Sequence, residues 1–205
     1  QVWSAWEALI DNTPDDSLFT GLVERFFKSA DFFELAPETQ KDYRKYSQKI
    51  LAVFGQMPPD NIKPEHVRKY LDKRGVKSRT QANREITFMS RVYRWGYERG
   101  YVKGNPTKGV KQFKETARDR YITHEEYNAL YSVAPDVVRV AMELAYLCCA
   151  RQADVLEMKK SQLMAEGILI KQSKTAGAQI KAWSERLTAA IELAKTLPLN
   201  PGMSS

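Results

Sequence analysis

Between residues 17 and 99 apolar side chains recur every three or four positions, the spacing of helices that bury one face. Ser17 to Ala30 sets Leu18, Leu22, Phe26 and Ala30 four apart and predicts a first helix. A second is predicted to open at Pro37-Glu38-Thr39 and end at Gly55, with Tyr43, Tyr46, Ile50 and Phe54 inward. After the Pro58-Pro59 break, a short third helix should follow Lys63-Pro64 and stop at Gly75. A long fourth, Ser78 to Arg99, places Ala82, Ile86, Met89, Tyr93 and Tyr97 on a core face.

Periodicity lapses from Gly100 to Arg120, where Gly104, Asn105-Pro106 and Gly109 precede the charged positions Lys111, Lys114, Arg118 and Arg120. Three more helices are expected from Thr123 to about Lys160. The period then changes from helical to alternating. Gly167 to Ser173 reads as a strand, Lys174-Thr-Ala-Gly as a turn, and Gln179 to Trp183 as the returning strand of a hairpin. A last helix should run from about Glu185 to Thr196. The pattern divides the chain into an N-terminal extension (1–16), a helical domain (17–103), a linker (104–120) and a second domain (121–205) of helices and one hairpin.

Charge sharpens this picture. The chain is 43% hydrophobic, enough to fold, and its net charge of +7 is unevenly spread. Residues 38–120 hold 21 Lys/Arg against 9 Asp/Glu, a local net of +12, while residues 1–37 carry −5 and residues 121–205 balance. Such a field suits a polyanion, although a basic solvated surface has the same composition. Arg84, Thr87, Arg91 and Arg94 form one stripe opposite the core face of the fourth helix, and Lys41, Lys45 and Lys49 form another on the second. Either stripe could follow a phosphate backbone; taken alone, each is an ordinary solvent-facing surface.

Other function classes are disfavoured. No apolar run approaches the ~20 residues of a membrane span, no glycine-rich nucleotide loop is present, and the cysteines, Cys148 and Cys149, are adjacent. That cysteine usage suits neither a disulfide framework nor a metal site and implies a reducing, cytoplasmic setting. His66 and His124 fall near helix starts, where capping or solvation is their ordinary role.

The string ANREITFMSRVYRWGYERGYVKGNPTKGV, Ala82 to Val110, resembles the end of the core-binding domain of tyrosine recombinases of the phage-integrase type. APETQKDYRKYSQKILAVFG and IKPEHVRKYLDKRG resemble that domain's earlier helices, and DRYITHEEYNAL the family's entry into its catalytic domain. CCARQADVLEMKKSQL, Cys148 to Leu163, matches the family's threonine-glycine-x-arginine motif, with Arg151 as the arginine and Asp154 as the acidic residue three positions on. Two positions depart from the pattern: Cys149 stands where the family usually has glycine, and Gln162 where aspartate is common. The match runs in order over roughly residues 17–187.

The resemblance implies a mainly α fold: a helical SAM-like core-binding domain followed by the first part of an α+β catalytic domain. It implies Arg151 as a catalytic arginine on the scissile phosphate, Lys174 as general acid with Lys171 as the nearby competitor, and Asp154 as the residue that orients Arg151. Without it, Arg151 is an ordinary helix-surface arginine and Lys174 an ordinary turn residue. Double-stranded DNA is the expected partner, with a tetramer on DNA for the intact parent and no metal or nucleotide cofactor. DNA contacts are expected from Lys41, Arg44, Lys45, Lys77, Arg79, Arg84, Arg91 and Arg94. The expected role is integration or excision through a 3′-phosphotyrosyl intermediate.

The family completes its site with a His/Lys-x-x-Arg box, a further His or Trp, and a tyrosine nucleophile. After Lys174 this sequence has no histidine or tyrosine, the last tyrosine being Tyr146. The chain thus reads as a fragment that binds DNA without cleaving it, and the start at Gln1 suggests a preceding segment. Two other classes fit the composition: a helical DNA-binding transcriptional regulator, for which Arg151 would be dispensable, and a helical adaptor indifferent to DNA.

Overall fold

The computed structural model describes residues 17–117, 119–173 and 177–197, which fall into two compact units divided at Arg118 and Asp119. The first unit is helical. It consists of α1 (Phe19–Phe27), α2 (Ala30–Phe33), α3 (Pro37–Phe54), a 3-10 turn (Pro59–Asn61), α4 (Pro64–Lys77) and α5 (Arg79–Glu98). In its core Phe26 meets Phe32 and Trp95 edge-on and lies against Phe27, Tyr43 and Phe88, so all of α1, α2, α3 and α5 contribute a ring. Rings of this size each contribute about 2–3 kcal/mol when buried, so the cluster ties these four helices together.

Several boundaries depart from the sequence pattern for local reasons. The first helix ends at Phe27, because the Ser29 hydroxyl accepts from the Phe32 amide and starts α2. Gly55 does follow α3, yet its backbone is right-handed: a Cβ there would lie 2.6 Å from the Leu51 carbonyl oxygen and 2.7 Å from the Thr20 hydroxyl. Close approach, not a left-handed turn, accounts for that glycine. Gly75 does not end α4, which continues to Lys77; the Phe113 ring occupies the space of the missing Cβ, at 2.3 Å. Tyr97, expected in the core, is 61% exposed, because the last turn of α5 faces α1 with Trp95 and Gly96 instead, the latter against Leu22.

Part of the expected linker is fastened to the first unit. Phe113 accepts a hydrogen bond from Asn83 at its carbonyl and donates one to it from its amide, and Arg68 donates to the Lys111 carbonyl. Asn105 donates to Ser90 at both its carbonyl and its hydroxyl. Within the core of this unit Glu85, almost fully buried, accepts from Tyr70 and from Arg74. Burial and the adjacent carboxylate push the Tyr70 hydroxyl well above its usual range.

The second unit comprises α6 (His124–Val133), α7 (Asp136–Cys148), α8 (Gln152–Leu156), a 3-10 turn (Lys160–Gln162), β1 (Gly167–Lys171), β2 (Ala178–Ala182) and α9 (Glu185–Thr196). Thr123 and Glu126 cap α6 reciprocally. The strands pair antiparallel, from Gly167 opposite Ala182 to Lys171 opposite Ala178. Ile168 and Ile170 pack with Leu144, Cys148, Leu187 and Ile191, so the hairpin, α7 and α9 share one core. Among the described residues no helix is long and apolar enough to cross a membrane.

Candidate functional site

On the first unit, α5 turns Arg84 and Arg94 outward, and Arg91 is half-buried beside them. Arg91 and Arg94 line a concavity of about 370 Å³ with Thr87, Ser90 and Tyr43 of α3. Its remaining wall comes from Asn105, Thr107, Lys108 and Gln112, in the stretch expected as linker. Asn105 accepts from the amide and hydroxyl of Thr107, and Gln112 donates to Thr87, so these polar groups are fixed in place. Two arginines and one lysine, set among side-chain amides and hydroxyls around one hollow, make a surface suited to an anionic oxygen cluster.

The other expected contacts are placed differently. Lys45 is exposed, and Lys41 is exposed within 3.7 Å of Glu38. Arg44 lies over the Phe32 ring, with its guanidinium carbon 4.8 Å from the centroid, and Arg79 lies over Phe113 at 5.7 Å. Both guanidiniums thus rest on aromatic rings while their residues stay exposed. Lys77 faces a separate apolar groove on α4.

The second unit places Arg151 at the start of α8, with its side chain nearly half exposed. Three residues on, Asp154 is buried and accepts at Oδ1 from both the amide (3.0 Å) and the hydroxyl (2.8 Å) of Ser173. Its Oδ2 lies 3.8 Å from Arg151 Nη1. The Ser173 hydrogen bonds, and then Arg151, hold this carboxyl below the usual carboxylate range. Arg151 Nη1 also reaches the Gln172 side-chain oxygen at 3.4 Å. Thus α8 and the end of the first hairpin strand are tied together, while Nε and Nη2 of Arg151 make no hydrogen bond among the described residues. Lys171 closes β1 and is exposed. Lys174 lies outside the described residues; the Gln172 amide, before it in sequence, donates to the Gly177 carbonyl.

Neither histidine joins this site. His66 accepts from the Lys63 amide at the start of α4, and His124 stands edge-on to Tyr146 at the start of α6. Among the described residues no cluster of His, Cys, Asp or Glu could hold a metal ion.

Residues 19–112 match the family model of the phage integrase central domain. The integrase of Escherichia phage HK022 is 28% identical over 150 residues, 71% of this chain and 42% of that protein. The chain is thus similar to phage integrases, and its first unit to their central domain. It spans less than half the length of that relative. Its fold matches a lambda integrase dimer bound to a COC′ core site, with TM-score 0.78 and 20% identity over 87% of this chain and 67% of the other. It also matches a lambda integrase tetramer bound to a Holliday junction, with TM-score 0.75 and 21% identity over 90% of this chain and 56% of the other.

This similarity bears on the two departures from the integrase-like pattern. Cys149 is the only non-glycine residue with positive φ among those described (φ 51, ψ 34), so the position where the family usually has glycine keeps the left-handed backbone that glycine favours. Gln162, where aspartate is common, accepts from the Lys159 amide and donates to the Leu169 carbonyl, thereby joining the 3-10 turn to β1. Sequence reasoning missed Asn105, Thr107, Lys108 and Gln112 because they follow the end of a helix in a Gly- and Pro-containing stretch that reads as linker. The one available signal was that GNPTKGV belongs to the string that carries the family resemblance.

Proposed function

We propose that this chain is the DNA-binding portion, with the first part of the catalytic domain, of a site-specific tyrosine recombinase of the prophage-integrase kind. The observation that carries the catalytic part of this reading is the Asp154–Ser173 link, which fixes the arginine-bearing start of α8 beside the hairpin turn. Arg151 would offer its open guanidinium edge to non-bridging oxygens of the scissile phosphate and offset the charge that builds up there. Lys174, which follows Ser173 in sequence, would protonate the departing deoxyribose oxygen, with Lys171 as the competitor for that role. Asp154 positions Arg151 without touching substrate.

In the intact protein a tyrosine oxygen attacks the phosphorus, the bond to the 5′ oxygen breaks, and a 3′-phosphotyrosyl link conserves the energy for strand transfer. Double-stranded DNA carrying a recombination site is the substrate, a tetramer on that DNA is the working assembly, and the cytoplasm is its location. Arg84, Arg91 and Arg94, with Lys41 and Lys45, supply phosphate contacts; Arg44, Lys77 and Arg79 are secondary to them. The test is fluorescence anisotropy of the 205-residue chain with duplex DNA across a salt series. Binding that weakens steeply with salt, and less steeply in Arg84→Ala/Arg91→Ala, supports the reading; indifference to DNA at low salt overturns it.

A further inference from the structure

One surface of the first unit has, apart from Lys77, no part in the DNA reading. It is a groove of about 510 Å³ between the end of α3 and the outer side of α4, with Val53, Phe54, Met57 and Tyr70 as its apolar lining. Val53 is 55% exposed there, an unusual outlay of apolar surface on a helix this basic. Lys69, Lys73 and Lys77 line the groove at four-residue intervals, and none of them has an acidic partner among the described residues.

The described chain starts close in sequence to a contact with this groove's lining. The Phe19 amide donates to the carbonyl of Met57, a lining residue, at 2.9 Å. Residues 1–16, which precede it, hold Glu7, Asp11, Asp15 and Asp16 and no Lys or Arg. In the same stretch Val2, Trp3, Trp6, Leu9 and Ile10 recur at the three- and four-residue spacing of one apolar face. Apolar lining with a lysine row on one side, and an apolar row with carboxylates on the other, are complementary in kind. Reach is no obstacle, since a chain spans up to roughly 3.3 Å per residue.

We propose that residues 2–11 of the same chain dock in this groove, with Trp3, Trp6 and Leu9 toward Val53, Met57 and Tyr70, and Glu7 and Asp11 toward Lys69, Lys73 and Lys77. The acidic segment thereby covers apolar surface and neutralises a lysine row. Lys77 is also among the expected DNA contacts; the test uses no DNA, so its failure and failure of the recombinase reading remain separate.

The experiment is carbodiimide cross-linking of carboxylates to lysines in the 205-residue chain, with the links mapped by mass spectrometry. Intramolecular links from Glu7 or Asp11 to Lys69, Lys73 or Lys77 are expected, independent of protein concentration. They should fall roughly tenfold in Trp3→Ser/Trp6→Ser, because the apolar contribution is lost. Asp11→Lys should reduce docking, and Lys73→Glu added to it should restore docking, read as recovery of the Glu7 links; Lys73 is exposed. Absence of such links, links undiminished in the tryptophan variant, or links that appear only on raising concentration would each overturn the proposal, the last in favour of a second copy as the occupant.

Discussion

Ser173 donates two hydrogen bonds to a single carboxylate oxygen of Asp154, one from its amide and one from its hydroxyl. This doubly bonded oxygen is the main reason the Asp154 carboxyl stays ionised below the usual range. Because the folded-state pKa is lowered, the stabilisation is present above the unfolded value of about 3.9 and disappears as pH falls through the folded value. The Ser173 amide proton, followed by NMR, should titrate with a midpoint below that of an unperturbed aspartate. A midpoint at or above it would sever the link between hairpin and α8. Asp154→Ala should broaden the turn resonances and loosen Arg151 even at neutral pH.

Cys149 holds a left-handed backbone that costs a side-chain-bearing residue about 1–2 kcal/mol, part of which glycine recovers at the cost of a freer unfolded chain. Cys149→Gly should therefore stabilise the second unit by about 0.5–1 kcal/mol, seen as a higher melting temperature. Cys149→Val should lower it, since branching at Cβ aggravates the same clash. Equal melting of all three would show that the turn relaxes around any residue.

Glu143, buried on α7, accepts from Arg186 Nε (2.5 Å) and Nη2 (2.7 Å) and from the Tyr127 hydroxyl (2.9 Å). Arg186→Met leaves the carboxylate with one neutral donor and should cost about 2 kcal/mol, less than for a fully buried pair because Arg186 is half exposed. Burial, followed by the Glu143 carboxylate, pushes Tyr127 up to about 12. In Glu143→Gln the tyrosine should ionise at lower pH, which NMR of its ring carbons can follow. No change in Tyr127 would mean that burial alone sets its proton affinity.

The helical fold was legible because α3, α5 and α9 keep a regular apolar spacing and carry clear start signals, such as Pro37 at the first position of α3 and Ser184 before α9. The hairpin was legible from its change of period. What escaped was tertiary: Gly75 looks like a stop until Phe113 is seen against it, and Tyr97 continues a spacing that the last turn of α5 drops in favour of Trp95 and Gly96. The same holds for the site. Arg151 and Asp154 could be found from their motif, whereas the Ser173 bonds depend on a hairpin folding back over 19 residues. Among the basic residues, spacing alone cannot separate Arg91, which borders a polar hollow, from Arg44, which lies on an aromatic ring.

That distinction yields the last prediction. If the hollow beside α5 receives DNA phosphate, Lys108 contributes one cation to it although nothing in its local sequence pattern marked it. Removing one cation that neutralises a phosphate should reduce the salt dependence of binding by about 0.9 in the slope of log affinity against log salt. Lys108→Ala should show that reduction with its melting temperature unchanged, since the lysine is exposed. Arg44→Ala should do the reverse, because removing the guanidinium from the Phe32 ring destabilises the aromatic core by about 0.5–1 kcal/mol while leaving the hollow intact. Measured together by anisotropy and thermal melting, the two variants separate a binding cation from a packing cation. A slope that falls for Arg44→Ala and holds for Lys108→Ala would move the interface off the hollow and onto the exposed side of α3.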